Sequence, residues 1–176
     1  MTVEGTQMSE ESVDYEDLTG MQLDESELAE LVGHGGECVF NWTNGAGYPV
    51  GVVVAYIYKD GKFFTTCADR RKRVPALRAR PQSAIVINRD GRTATYKGDS
   101  VIHAQGDEGF DELKTWFYGA LSGVSQSPDD EYRKAFRKFL DSKNRVIIET
   151  DANLVIGFDS GKFRAFTAEA MAAMND

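Results

Sequence analysis

The chain has 176 residues, 28 of them acidic and 20 basic, for a formal charge of −8. Its length and 41% hydrophobic content suit one domain with a sizeable core and exclude a wholly disordered chain. The negative balance, two unclustered cysteines (Cys38, Cys67) and two isolated histidines (His34, His103) argue against a generic nucleic-acid or anionic-membrane binder, a disulfide framework and a structural zinc site.

Residues 1–22 are polar and acidic, and are expected to form a flexible tail ahead of a domain spanning 23–176. They carry neither the basic nor the apolar region of a secretory signal. No run in the chain approaches the ~20 apolar residues of a membrane helix, so a cytoplasmic location is expected. Asp24 opens a short helix, with Glu27 three positions on as in a capping box and Leu28, Leu31 and Val32 as its apolar stripe. Gly33, Gly35 and Gly36 end it.

The period then changes to that of a strand, Cys38, Phe40 and Trp42 alternating with Val39, Asn41 and Thr43. A turn at Asn44-Gly45 and Gly47 leads into the β-branched and aromatic run Tyr48 to Tyr58. Asp60-Gly61 is a hairpin signal, and Lys62 to Cys67 is the returning strand. Residues 37–67 are therefore predicted to form a three-stranded antiparallel meander. Asp69 to Arg80 reads as a short helix capped by Asp69, in which Pro75 forces an early break or a start near Val74. Ser83 to Asn88 is a strand, Asp90-Gly91 a turn, and Thr93 to Gln105 the next strand, with Gly98 marking a bulge or barrel bend.

A helical insert is expected over residues 107–143. Phe110, Leu113, Phe117 and Leu121 form one amphipathic face. Ser127-Pro128-Asp129 starts a second helix carrying Tyr132, Phe136, Phe139 and Leu140. Arg145 to Thr150 and Leu154 to Asp159 read as strands, Phe163 to Phe166 follows a Ser160-Gly161 turn, and Thr167 to Met174 suits a terminal helix. Six or seven antiparallel strands in sequence tend to close and remove their edges, so the expected class is mainly β: a β-barrel with peripheral helices.

The charge is unevenly placed. Residues 1–58 hold 11 acids and no Lys or Arg, whereas residues 59–80 hold eight bases and two acids. Within that basic stretch, Thr65 and Thr66 end a strand with hydroxyls, and Arg70, Arg71, Lys72 and Arg73 follow at the start of the predicted helix. Helix-start amides, bidentate guanidinium groups and a lysine point charge together suit a phosphate. The alternative reading is a solvated helix face, because four consecutive bases cannot share one side. A nucleic-acid patch is disfavoured by the acidic surroundings.

Residues 47–104 resemble the core of the pyridoxamine 5′-phosphate oxidase-like, flavin-binding split-barrel family. The likeness rests on Gly47-Tyr48-Pro49 opening a strand and on Asp60-Gly61-Lys62-Phe63-Phe64-Thr65-Thr66 as hairpin and third strand. It continues through the basic segment ending in Leu77, Pro81 ahead of Ala84-Ile85-Val86-Ile87, and Gly98. Arg145 to Glu149 and Val155 to Lys162 resemble the family's closing strands. No single motif is diagnostic; the signature is an ordered pattern.

The resemblance implies a split β-barrel that forms a homodimer, each interface cleft holding an FMN-type cofactor; the acidic balance and the lack of an apolar run give the expectation of no nucleic-acid or membrane partner. The alternatives are the deazaflavin coenzyme F420 and, less favoured, haem. The implied activity is an oxidoreductase moving hydride to or from a small organic substrate; the alternative is a non-catalytic flavin- or haem-binding module. The implied cofactor-binding residues are Thr65, Thr66, Arg70, Lys72 and Arg73 around the phosphate, with Val54 and Tyr56 on the wall of the ring pocket. The family's basic residue stands four positions before the leucine, which matches Arg73 ahead of Leu77. One extra residue in the Arg70–Arg73 stretch leaves the clamp open between Lys72 and Arg73. Gly51 and Ala55 permit close approach of a planar ring; ordinary barrel packing is the alternative reading of that strand. No catalytic acid or base is implied, because the cofactor carries the hydride.

Overall fold

A computed structural model describes residues 17–124 and 129–173. A short 3-10 turn (Thr19–Met21) precedes α1 (Glu25–Gly33), β1 (Gly36–Thr43), β2 (Pro49–Lys59), β3 (Lys62–Ala68) and α2 (Arg73–Ala79). Then come β4 (Gln82–Arg89), β5 (Arg92–His103), α3 (Phe110–Gly123), α4 (Asp130–Leu140), β6 (Arg145–Asp159) and α5 (Ser160–Ala173). The six strands close into an antiparallel barrel in the order β1-β2-β3-β6-β5-β4. The protein is mainly β, with helices on the periphery.

The expected meander is present, but its two seams differ. β2 pairs with β1 from Pro49↔Thr43 to Tyr56↔Gly36, yet with β3 only from Ile57↔Phe64 to Lys59↔Lys62. On its other edge β3 pairs with β6 along its whole length, from Lys62↔Asp151 to Ala68↔Arg145. The barrel is thus split between most of β2 and the end of β3, and the basic turn at residues 69–72 stands at that split.

Alternation explains which side chains fill the barrel. Phe40, Tyr56, Phe63, Ile85, Ile87 and Ile148 point inward, and Leu77 of α2 joins them. Phe64 and Ile147 point outward, where Phe110, Phe117 and Leu121 of α3 cover them. β3 is therefore covered on both faces, and the consecutive residues Phe63, Phe64 and Thr65 are all buried. At one end of the interior a chain of hydroxyls, Ser83···Ser100···Thr150, has both separations at 2.8 Å. Thr150→Val keeps the shape but leaves Ser100 one partner short, and is expected to cost about 1–2 kcal/mol in denaturant unfolding. An unchanged midpoint would show that the hydroxyl chain contributes nothing.

Local chemistry departs from expectation at two places. Asp69 does not cap α2: the helix starts at Arg73 behind Lys72, and Asp69 instead accepts a 2.9 Å bond from Arg78. Pro75 falls in the first turn, where its missing N–H costs nothing, so the helix is not broken and starts beside Val74, the second of the two expected alternatives. The closing segment is one 15-residue strand, not two. Gly98 pairs with Ala152 and Lys97 with Leu154, so Asn153 bulges out and the strand continues past it. Ser160-Gly161 does not turn into a further strand, and Phe163 to Phe166 lies in α5. The Asp159 carboxylate accepts the Gly161 and Lys162 N–H groups at 2.6 and 3.2 Å, which starts that helix.

The capping box on α1 is present, with Asp24 accepting from the Glu27 amide at 2.8 Å and Glu27 from the Asp24 amide at 2.8 Å. Met21 and Leu23 are buried, and Leu23 packs over Gly157 of β6. Residues 1–16 of the expected tail lie outside the described residues, as do Ser127 and Pro128 of the expected α4 start. Asp129 accepts from the Glu131 amide at 3.0 Å and caps α4.

Candidate functional site

The basic turn separates two clefts. The first, about 550 Å³, opens at the split and is lined by Trp42, Val52, Val53, Val54 and the four bases Arg70, Arg71, Lys72 and Arg73. The second, about 670 Å³, lies on the β6 side. It is lined by Thr66, Cys67, Ala68, Asp69, Arg70, Arg71, Arg73, Phe139, Ser142, Lys143, Asn144 and Arg145. The split itself creates the first cleft: where β2 and β3 part, the turn leaving β3 supplies the missing wall.

The electrostatics of this region are one-sided. Among the described residues, no acidic side chain forms an ion pair with Arg70, Arg71, Lys72, Arg73, Lys143 or Arg145. Asp69, the acid lining the second cleft, is already held by Arg78. Arg73 is partly ordered from behind, since its guanidinium lies 3.5 Å from the Thr66 carbonyl oxygen. Arg80 donates to the carbonyls of Thr43 and Asn44 at 3.3 and 2.8 Å. Arg78 and Arg80 are therefore engaged with the protein, and the uncompensated charge sits in residues 70–73 and 143–145.

The backbone amides contribute less than a helix start suggests. The N–H groups of Asp69, Arg71 and Val74 already bond to the carbonyls of Asn144, Ala68 and Arg71 at 2.8, 3.0 and 2.9 Å. Anion affinity here rests chiefly on the side chains.

The residues singled out from sequence do not all converge. Val54, Arg70, Lys72 and Arg73 meet at the first cleft; Thr66, Arg70 and Arg73 meet at the second. The Thr66 hydroxyl donates to the Val146 carbonyl at 2.7 Å. Thr65 is 1% exposed and points into the barrel, as strand alternation requires of the neighbour of an outward-facing residue. Tyr56 is fully buried, its hydroxyl donates to the Val32 carbonyl at 3.0 Å, and burial pushes its pKa up to about 12. Neither Thr65 nor Tyr56 lines a cleft. Gly51 and Ala55 stand on the outer face of β2, opposite Val52 and Val54. The space over Gly51 is taken by Asn41, whose Oδ1 lies 2.7 Å from where a Cβ would be. Cys67 lines the second cleft but is nearly buried. Burial raises its pKa, and the neighbouring Arg73 acts in the opposite direction.

Two groupings were not legible in the sequence. The turn Ser142–Arg145 reaches the basic turn only because β6 pairs with β3, some 70 residues away. Lys143 and Arg145 resemble any surface bases until that pairing is known. Likewise β3, β5 and β6 bring together Lys62, His103 and Glu149. Lys62 bonds one carboxylate oxygen of Glu149, and the His103 ring lies 3.0 Å from the other.

Burial acts to raise the Glu149 pKa, but its bonds to Lys62 and His103 outweigh burial and hold it below the usual glutamate value. A depressed carboxylate stabilises the fold above its unfolded pKa, and that contribution is lost as pH falls through the lower folded value. Glu149→Gln is accordingly expected to lower stability at pH 7, with the gap from the unsubstituted protein closing as pH falls below about 4. Denaturant unfolding at both pH values checks this; a gap independent of pH would contradict it.

No protein-family model and no curated protein matches the sequence. Solved structures do. A conserved protein of Mycobacterium tuberculosis, Rv2991, superposes with a TM-score of 0.68 at 16% identity, over 82% of this chain and 89% of that one. A Listeria innocua protein described as a pyridoxamine 5′-phosphate oxidase gives 0.56 at 13% identity, over 74% and 95%. An F420 reductase gives 0.56 at 16% identity, over 72% and 94%. Closed barrel, partial β2–β3 seam and these superpositions agree: the chain has the split-barrel fold of the pyridoxamine 5′-phosphate oxidase-like proteins.

Proposed function

We propose that this protein is a flavin- or deazaflavin-dependent oxidoreductase, acting as a homodimer on a small organic substrate. The observation that carries the reading is the first cleft, where four bases without an acidic partner stand beside the apolar wall of Trp42, Val52 and Val54. A planar ring joined to a phosphate presents the same pairing of apolar and anionic surface. Arg70, Lys72 and Arg73 would hold the phosphate, and Val54 would face the ring. The bound flavin supplies the hydride chemistry. The chain's share is to fix the phosphate, keep water from the apolar wall and orient the ring toward the substrate.

FMN is the first candidate, because one phosphate matches one basic turn; coenzyme F420 is the alternative, supported by the likeness to an F420 reductase. Haem is less well served. Neither cleft is lined by a histidine; His103 is engaged with Glu149, and His34 lies at the surface 4.0 Å from Glu30. The dimer is supported by apolar side chains exposed on the outer strands, among them Val53, Val101 and Ile156.

Absorbance spectra of the purified protein after incubation with FMN, coenzyme F420 or haem test the proposal. A bound flavin or deazaflavin band that bleaches on reduction is expected. A Soret band with no flavin uptake at micromolar concentration would replace this reading with the haem-binding one. No described helix is long and apolar enough to cross a membrane.

A further inference from the structure

The second cleft repeats the chemistry of the first on the other side of the same turn. Three arginines, Arg70, Arg71 and Arg73, form the wall common to both. The opposite wall of the second cleft brings two bases of its own, Lys143 from the turn before β6 and Arg145 from the first position of β6. Arg145 is held in place: its guanidinium lies over the Phe139 ring, 5.4 Å from the centroid, and its Nε is 3.4 Å from the Ser142 hydroxyl. Phe139 in turn stacks on Phe136 at 6.4 Å and 17°. An arginine fixed by a ring and a hydroxyl has lost rotamer freedom before any ligand arrives, and its remaining donors are available to an anion.

Like charges facing each other across a cleft are unfavourable without a counter-charge. Five bases converge here, and the lining acid, Asp69, is committed to Arg78. A single phosphate held in the first cleft would leave Lys143 and Arg145, which do not line it, unserved.

We propose that the second cleft is a separate anion subsite, formed by Lys143 and Arg145 against the shared arginines, which takes a carboxylate or phosphate group beyond the cofactor phosphate. Its description as a second subsite rests on the reading of the first cleft as the cofactor's. The anion has two sources, an anionic extension of the cofactor itself or an anionic group on a separate ligand.

The test is calorimetric titration of the full-length protein, Lys143→Gln and Arg145→Gln with inorganic pyrophosphate, FMN and coenzyme F420 bearing its glutamate tail. Lys143 is an exposed turn residue, so its variant reads the charge even where Arg145→Gln disturbs the start of β6. Each substitution is expected to weaken pyrophosphate at least about fivefold while FMN stays within about twofold, the loss due to one charge-assisted contact. An F420 loss matching that of pyrophosphate identifies the cofactor's own tail as the anion. Unchanged F420, with pyrophosphate binding to FMN-loaded protein weakened, identifies a separate ligand. Pyrophosphate binding unaffected by both substitutions, or FMN weakened as much as pyrophosphate, overturns the proposal. If no flavin binds at all, the flavin reading fails, while the pyrophosphate titration still decides the subsite.

Discussion

Arg73→Ala is expected to weaken FMN binding by about 1.5–3 kcal/mol, the range for a lost hydrogen bond to a charged group, and to leave riboflavin almost unchanged. Riboflavin shares the ring and lacks the phosphate, so the pair isolates the contact. Arg73 is the stronger clamp candidate on geometry. It lines both clefts, is half-buried, and leans against the Thr66 carbonyl, so its guanidinium is already placed. Lys72 is exposed at the start of α2 and lines the split cleft alone among the two. It must give up more side-chain freedom to hold the same oxygen, so Lys72→Ala should cost less than Arg73→Ala. Fluorescence titration of both variants with both ligands checks this. Equal losses for FMN and riboflavin would refute the phosphate assignment.

Gly98→Ala is expected to be the most damaging single substitution to the fold, at about 3 kcal/mol or failure to fold. A Cβ at this position would lie 1.8 Å from the Asp151 carbonyl oxygen and 2.9 Å from the Ala152 Cα. Both obstacles are backbone, so no rotamer change relieves them. The close approach exists because the β5–β6 register shifts between Lys97 and Gly98, where Asn153 bulges out. Gly119→Ala is the control. It sits inside α3 with nothing within 4 Å of a new Cβ, and should stabilise by up to about 1 kcal/mol. Denaturant midpoints of the two variants should therefore move in opposite directions; a Gly98→Ala protein of unchanged stability would contradict the packing described at the bulge.

Much of the barrel can be read from the chain because its signals are local. Asp60-Gly61 and Asp90-Gly91 are dipeptide turns, and Asp60 and Asp90 adopt φ of 51° as such turns require. The capping box at Asp24 is equally local, and Gly98 marks the irregularity although the bulged residue, Asn153, lies on the paired strand. Asp69 reads as a cap although it is not one, because a residue suited to capping is equally suited to an ion pair, and Arg78 lies one helical stretch downstream to claim it. The closing strand reads as two because a bulge and a turn look alike in sequence when both carry Asp, Ala and Asn.

The candidate site was legible in part for a related reason. Its basic turn is contiguous, and so visible as composition. Whether Thr65 or Tyr56 faces a cleft depends on strand alternation and on where β2 leaves β3, a long-range property. Lys143 and Arg145 enter the site through β-sheet register alone. Consecutive residues of one strand point to opposite faces, so Thr65 and Thr66 could not both offer their hydroxyls to one phosphate.

In the proposed function the bases at the barrel split hold a cofactor phosphate beside an apolar wall. Side-by-side calorimetric titration of the apo-protein with FMN and riboflavin tests it most directly. FMN is expected to bind in the micromolar range or tighter, and at least about tenfold more tightly than riboflavin, with the difference shrinking as salt rises. Riboflavin bound as tightly as FMN, or neither bound, would contradict it.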